Sequence, residues 1–229
     1  VLKPVFDVVF YWILFGLVLQ ISRGMGNYTA YIIIGVLMFQ YFSRAITQNA
    51  SVMRQGKTMM RSFSFPRITV PLSLAVREVV LMGPVTLVML VGIIAIPPHA
   101  FPQVAWLLFI PVIALNTVFN FGLGLLIARF AYVVPDISQI LSVITRVLLY
   151  GSAVIFPIEK FVNHPVVTEI IRSNPVYIFI DLYRTILISG EVGTWYHWGL
   201  LLAWSFGLLL VGFTIFWRAE EAFGRDFDK

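Results

Sequence analysis

The chain contains a series of apolar runs of about 20 residues each, which is the length that a helix needs to cross about 30 Å of hydrocarbon. Runs of this length are typical of helical membrane proteins, because the strands of a membrane β-barrel are about half as long. Only 12% of the 229 residues are charged, whereas a soluble domain has about 25% charged residues. The sequence therefore predicts an all-α integral membrane protein.

We predict six transmembrane spans, which together make a single domain over the whole chain, 1–229. Their approximate limits are 4–20, 29–48, 68–96, 104–128, 138–156 and 196–217.

The loops between these spans carry positive charge unequally. The loop after the second span holds four basic residues and no acid: Arg54, Lys57, Arg61 and Arg67. The loop after the first span holds only Arg23, and the loop after the third holds no charge. The positive-inside rule then places the basic loop in the cytoplasm. With an even number of spans, both termini lie on that side as well.

A few ionisable residues fall inside the predicted spans. Arg44 and Arg77 lie near cytoplasmic ends, where a long side chain can extend to the interface. Arg146 lies deeper, in the fifth span, and could meet Asp7 of the first. Because a charge in lipid is costly, we expect Arg146 to face a cavity or a partner.

The segment 51–64 has the pattern of a cytoplasmic helix. Arg54, Lys57 and Arg61 follow an i, i+3, i+7 spacing, which places them on one face. Such a helix could lie on anionic lipid, or it could dock on a soluble partner through its methionine and aromatic side chains.

The stretch SNPVYIFIDLYRTILISG, at 173–190, looks apolar enough to span but is too short. Its helical part is about 21 Å long, whereas the hydrocarbon is about 30 Å thick. Asn174 can cap this helix, Pro175 suits its first turn and Gly190 can end it. Asp181 and Arg184 share a face, able to pair with each other or with the element at 158–172. On these residues alone, the two segments form an interfacial hairpin over the bundle.

Several motifs, in this order, resemble the permease subunit of ABC-2 type exporters, in particular the polysaccharide-exporting group. They are the Phe-Pro-Arg step in SFSFPRITVPLS, the Asp-Ile pair in VVPDISQIL, and the succession of Pro, Asn-Pro and Tyr-Arg in FPIEKFVNHPVVTEIIRSNPVYIFIDLYRTILISG. The resemblance covers nearly the whole chain. No single motif is specific, so the order and the spacing carry the identification.

The resemblance implies a homodimer that binds two copies of a separate ATPase, which would hold ATP and magnesium. The chain has no GxxxxGK[ST] phosphate loop, so we expect a transport subunit rather than an enzyme, with no cofactor of its own. The helix at 51–64 would couple the permease to the ATPase. The expected ATPase contacts are Arg54, Lys57, Met60, Arg61, Phe63, Phe65, Arg67 and Asp136.

The resemblance also implies a pathway between the two copies, framed by the first and fifth spans, for a lipid-linked glycan. Aromatic rings there could form a track on which sugars slide, although they could instead face lipid or pack. The candidate channel-lining residues are Phe6, Phe10, Tyr11, Phe15 and Arg146. Arg146 could meet the pyrophosphate of the substrate.

In such permeases two short re-entrant helices form an extracytoplasmic gate, here expected at about 158–172 and 174–188. The candidate gate residues are Asn174, Pro175, Asp181, Tyr183 and Arg184. The expected location is the bacterial cell (inner) membrane, as a multi-pass protein in contact with membrane lipid.

Three other functions stay open. An exporter of a drug or small lipid from the same superfamily would lack the glycan track. A membrane glycosyl- or phosphotransferase would need a cluster of acids or histidines at one membrane face, and a proton symporter would need buried carboxylates. His99, His164 and His197 are scattered, so no metal site is predicted, and we expect no catalytic residues and no nucleic-acid partner.

Overall fold

A computed structural model describes residues 2–14, 27–56, 65–134, 136–158 and 165–227, with the backbone alone from 220 onward. These residues form helices and connecting loops, and none of those described is in a strand. The α-helices are α1 (Leu2–Tyr11), α2 (Tyr28–Gln55), α3 (Thr69–Ala95), α4 (Phe109–Val133), α5 (Ile137–Gly151), α6 (Pro165–Ser173), α7 (Pro175–Arg184) and α8 (Trp195–Phe227). A 3₁₀-helix (Val104–Leu108) precedes α4, and a π-helix (Thr185–Ser189) follows α7.

Four of these elements are long and apolar enough to cross a membrane. They are Tyr28–Gln55, Thr69–Ala95, Val104–Val133 and Trp195–Ala219. They coincide with the second, third, fourth and sixth predicted spans, which confirms a multi-pass, all-α membrane protein. Helix α5 is apolar but has only 15 residues, and residues 15–20 of the predicted first span lie outside the described part. The count of six spans therefore stays a prediction.

Helix α2 extends further than predicted. It continues without a break to Gln55, so the separate helix predicted to begin at 51 is wrong at its start. The local reason is that residues 49–55, NASVMRQ, contain neither glycine nor proline, and the first helix breaker is Gly56. The rest of that predicted helix, 57–64, lies outside the described residues.

Helix α2 is the centre of the bundle. It packs against α1, α3, α4, α5 and α7. In its most apolar stretch 78% of the residues are buried, whereas the values for the other three long helical segments are 28%, 28% and 22%. Those segments therefore expose apolar faces to lipid, while α2 is surrounded by protein.

Helices α4 and α8 approach so closely that their backbones touch. A Cβ built on Gly122 of α4 would lie 2.6 Å from the backbone nitrogen of Leu209, and one built on Gly212 of α8 would collide with the carbonyl of Gly122. Small residues allow this approach, and close packing is a main source of helix association in lipid.

Gly122→Val should therefore separate α4 from α8 and destabilise the protein by about 1–3 kcal/mol. We expect a melting temperature lower by about 5 °C in detergent. Gly207→Val is the matched control, because a Cβ added to Gly207 of α8 would meet no atom within 4 Å. Equal melting temperatures for the two variants would contradict the close packing of α4 on α8.

Candidate functional site

The fifth predicted span ends in irregular backbone that is buried. Helix α5 stops at Gly151, and Ser152, Ala153 and Val154 are each 0% exposed. Ala153 adopts φ 48°, a left-handed conformation that is strained for a residue with a Cβ. Buried backbone without helical hydrogen bonds needs other partners, because lipid supplies none.

Arg184 of α7 supplies most of these partners. Its Nη1 donates to the carbonyl of Ala153 at 3.0 Å and its Nη2 to that of Val154 at 2.7 Å. Its Nε donates to the carbonyl of Tyr31 on α2 at 3.2 Å, and the guanidinium lies 3.3 Å from the centre of the Tyr31 ring. One buried cation thus joins α7, α2 and the end of α5.

Arg184 is only 5% exposed. Burial lowers the pKa of Arg184 to about 10, so the guanidinium keeps its charge at neutral pH. Helix α7 is not among the membrane-spanning elements. A cation in this place is stabilised by carbonyl dipoles and by the ring, and the nearby Asp181 carboxylate adds to this.

Other side chains complete this carbonyl cage, by which we mean Arg184 and the groups that bind the carbonyls of 151–155. The hydroxyl of Tyr31 donates to the carbonyl of Ala153 and that of Tyr28 to the carbonyl of Ile155, each at 3.0 Å. Asn174 donates to Ser152 Oγ at 2.9 Å and to the carbonyl of Gly151 at 3.4 Å. The chain segment after α5 is therefore held by α2 and α7.

Gly35 leaves room for the carbonyl cage. A Cβ at this position of α2 would collide with the Arg184 guanidinium and lie 2.8 Å from the carbonyl oxygen of Val154. Nothing in the sequence pattern marks Gly35, Tyr28 or Tyr31 as functional, because each fits an ordinary apolar span. Their role follows only from the position of Arg184.

The predicted ends of helix α7 are confirmed. The Asn174 side chain accepts from the backbone N–H of Val176 at 3.0 Å, and Pro175 lies in the first turn. The π-helix that follows ends at Gly190, with φ 71°. Tyr183 is 0% exposed, receives a hydrogen bond from Asn116 at 3.2 Å and packs on Phe109.

One prediction around the gate helices needs correction. The sequence offered Asp181, or the element at 158–172, as the partner of Arg184, but its three guanidinium nitrogens donate to backbone carbonyls. Two of these carbonyls, those of Ala153 and Val154, lie beyond the end of α5. Asp181 accepts from the Tyr177 hydroxyl at 3.4 Å. The first short helix was predicted at about 158–172, and the described helix covers Pro165–Ser173. Residues 159–164 lie outside the described part, so the start of this helix stays a prediction.

The prediction that Arg44 extends to the interface is also wrong. Its Nε lies 3.2 Å from the carboxylate of Glu78 on α3, and Glu78 is 4% exposed. The side chain of Gln48 donates to the same carboxylate at 3.0 Å. The buried Glu78 carboxylate needs a counter-ion, because an unpaired charge is costly away from water, and Arg44 supplies it. Arg77, on the outer face of α3, is exposed.

The described channel candidates lie on the outer surface of the protomer. Phe6 is 68% and Phe10 is 58% exposed on α1, while Tyr11 is half-buried beside Phe10. Arg146 is exposed on α5. It does not meet Asp7, which accepts a hydrogen bond from Gln40 at 3.2 Å. Phe15 lies outside the described residues.

The coupling candidates are described only in part. Arg54 lies in the last turn of α2, and its guanidinium donates to the carbonyl of Ala50. Phe65 is half-buried against a small apolar cluster around Met53 and Phe216, and Arg67 is half-buried just before α3. Asp136 is exposed at the start of α5 without a side-chain cap. The other four fall outside the described residues: Lys57, Met60, Arg61 and Phe63.

Known proteins are similar to this chain over most of its length. A family model described as ABC-2 type transporter matches residues 1–188. The chain is similar to a protein of Klebsiella pneumoniae named O-antigen export system permease protein RfbA, with 24% identity over 226 residues, which cover 96% of this chain and 83% of that protein. A protein of the same name from Myxococcus xanthus is 21% identical over 225 residues, covering 97% and 84%.

Arg184→Lys should break the carbonyl cage, because one ammonium group cannot reach three carbonyls on two elements. Each lost hydrogen bond to a charged group costs about 1.5–3 kcal/mol, so we expect a melting temperature lower by about 5–10 °C and a reduced yield of folded protein. Arg77→Lys, an exposed arginine, is the control. A stable Arg184→Lys protein would show that the cage is not needed for folding.

Proposed function

Because the chain belongs to the ABC-2 type transporter family, we propose that it is the membrane-spanning permease of an ATP-driven exporter of a lipid-linked polysaccharide. The observation that carries this proposal is the similarity over 96% of the chain to a protein named as an O-antigen export permease. The permease is a transport component rather than an enzyme. Energy comes from a separate ATPase subunit, which would bind ATP and magnesium. We place the permease in the bacterial inner membrane, with six spans and with both termini in the cytoplasm.

We propose that two copies form the transport unit, with α1 and α5 facing the second copy. Helix α5 exposes a row of apolar side chains, among them Ile140 at 56%, Val143 at 58% and Val147 at 64%. Arg146 shares this outer surface of the helix. An arginine facing lipid is costly, so a water-filled path between two copies is a better environment for it. The phosphates of a lipid-linked glycan would supply its partner there.

The glycan would pass along the rings of α1. Phe6 and Phe10 are one helical turn apart and both side chains are largely exposed. Flat rings stack on the C–H faces of sugars without reading their hydroxyl pattern, which suits a polymer that must slide. This would explain how one path could carry a long chain with many repeats.

The carbonyl cage supports different roles for the two gate helices, α6 and α7. Helix α7 buries eight residues, whereas Ile171 is the buried residue of α6. Displacing α7 would break the hydrogen bonds of Arg184, while α6 has little packing to lose. We therefore propose that α6 moves when the exit opens and that α7 stays fixed as the frame.

ATPase movement would reach the membrane through α2. This helix ends at Gln55, among the predicted ATPase contacts, and it packs against five other helices. Phe65, another of those contacts, packs on the same cluster as Met53 of α2. A push on the loop between them would therefore move α2 and the elements around it together.

Affinity purification of the full-length protein from membranes tests the function. We expect an ATPase subunit to copurify, and deletion of the permease should abolish the extracellular glycan while the cytoplasmic lipid-linked precursor accumulates. Unchanged surface glycan together with no copurifying ATPase would overturn the proposal.

Two substitutions test the pathway. Arg146→Gln and Phe10→Ala should each reduce export several-fold with unchanged folding, because they remove the phosphate partner and one ring of the track. Surface glycan is measured by labelling intact cells, at matched protein levels. Phe130→Ala is the control, since Phe130 is also an exposed ring, 51% exposed, but lies on α4. If Phe10→Ala exports as well as Phe130→Ala, the α1 rings do not carry the glycan.

A further inference from the structure

A groove of about 610 Å³ opens between α6, α7 and the first turns of α8, away from the channel and coupling candidates. Glu169 and Arg172 of α6 form one wall, and Tyr177 of α7 also lines it. His197, Leu200 and Trp204 of α8 form the opposite wall. The groove is large enough for a lipid headgroup and the upper part of a chain.

The α8 wall changes from polar to apolar along the helix. His197, Leu200 and Trp204 follow an i, i+3, i+7 spacing, so they lie on one face over about 10 Å. Helix α8 starts at Trp195, so His197 is in the first turn of a helix that is long and apolar enough to span a membrane, and we place it at the interface. Trp204 lies about two turns further into that span, beside the exposed side chains of Leu202 and Phe206. The groove thus runs from the headgroup layer into the hydrocarbon.

The α6 wall carries one charge of each sign. Glu169 and Arg172 are both exposed and lie one turn apart. Among the described residues no ion pair joins Glu169 to Arg172, so both charges are open to the groove. Two opposite charges one turn apart along a groove are complementary to a zwitterion.

We propose that this groove binds a zwitterionic phospholipid with a primary ammonium group, of the phosphatidylethanolamine type. The phosphate lies against Arg172 and His197, and the ammonium group donates to Glu169. One acyl chain follows Leu200 and Trp204 into the bilayer. The bound lipid would brace α6, the short helix with the least packing of its own, against α7 and α8.

The proposal does not depend on what the protein exports. A phospholipid without an ammonium group leaves Glu169 with no partner, and one with a quaternary ammonium offers no N–H donor to it. The groove should therefore rank phosphatidylethanolamine above phosphatidylglycerol and phosphatidylcholine. A glycan or its lipid carrier is the competing occupant, since the rings of Tyr196 and Trp204 also suit sugars.

Native mass spectrometry of the purified full-length protein, titrated with these three phospholipids, measures the ranking. We expect at least fivefold tighter binding of phosphatidylethanolamine than of the other two. Arg172→Gln should weaken all three about tenfold, whereas Glu169→Gln should weaken only phosphatidylethanolamine, to the level of phosphatidylglycerol. Arg77→Gln, an exposed arginine on α3, is the matched control and should leave the ranking unchanged.

Melting temperatures equal to wild type show that the variants are folded. Equal affinity for the three lipids, or no effect of Glu169→Gln, overturns the proposal. Displacement of phosphatidylethanolamine by a soluble oligosaccharide of the exported type also overturns it, and would assign the groove to the glycan. If copurification of the ATPase fails while the lipid ranking holds, the proposed function is wrong and the lipid site stands.

Discussion

The backbone carbonyls that lack helical partners at the end of α5 are the constraint on which the packing of α5 against α2 and α7 depends. A helix that stops inside a membrane protein leaves acceptors that lipid cannot satisfy. Here the carbonyls of Gly151, Ala153, Val154 and Ile155 are met by side chains of α2 and α7. The strained φ of Ala153 persists because these bonds hold it. Arg184 contributes most, since its planar guanidinium can serve separate carbonyls and a ring at once.

This arrangement links the two ends of the molecule through α2. The same helix accepts Arg184 at the carbonyl of Tyr31 near one end and carries Arg54 at the other. Because α2 is buried along most of its length and packs against five helices, a displacement at one end would also move the elements around it. The proposed coupling to an external ATPase would require such a connection.

The sequence predicted the long apolar helices well because their length and hydropathy are local properties. It also predicted the ends of α7, since Asn174, Pro175 and Gly190 act on their own neighbours. The partners of Arg184 and Arg44 could not be predicted, because they are set by which helices meet. A local interpretation offered Asp181 as the partner of Arg184, three positions away. In the folded protein, carbonyls that are distant in sequence lie next to Arg184. Such partners cannot be predicted from residue type, because every residue has a backbone carbonyl.

The partners of the intramembrane carboxylates bear on how α2 is held to its neighbours. Glu78 of α3 lies against the Arg44 guanidinium and accepts from Gln48, both on α2. Removing one partner of this pair would leave a buried charge without its counter-ion. Asp7 of α1 accepts from Gln40 of α2. Polar contacts therefore join α2 to α3 and to α1, so an ATPase subunit that acted on α2 from outside the membrane would displace these helices with it.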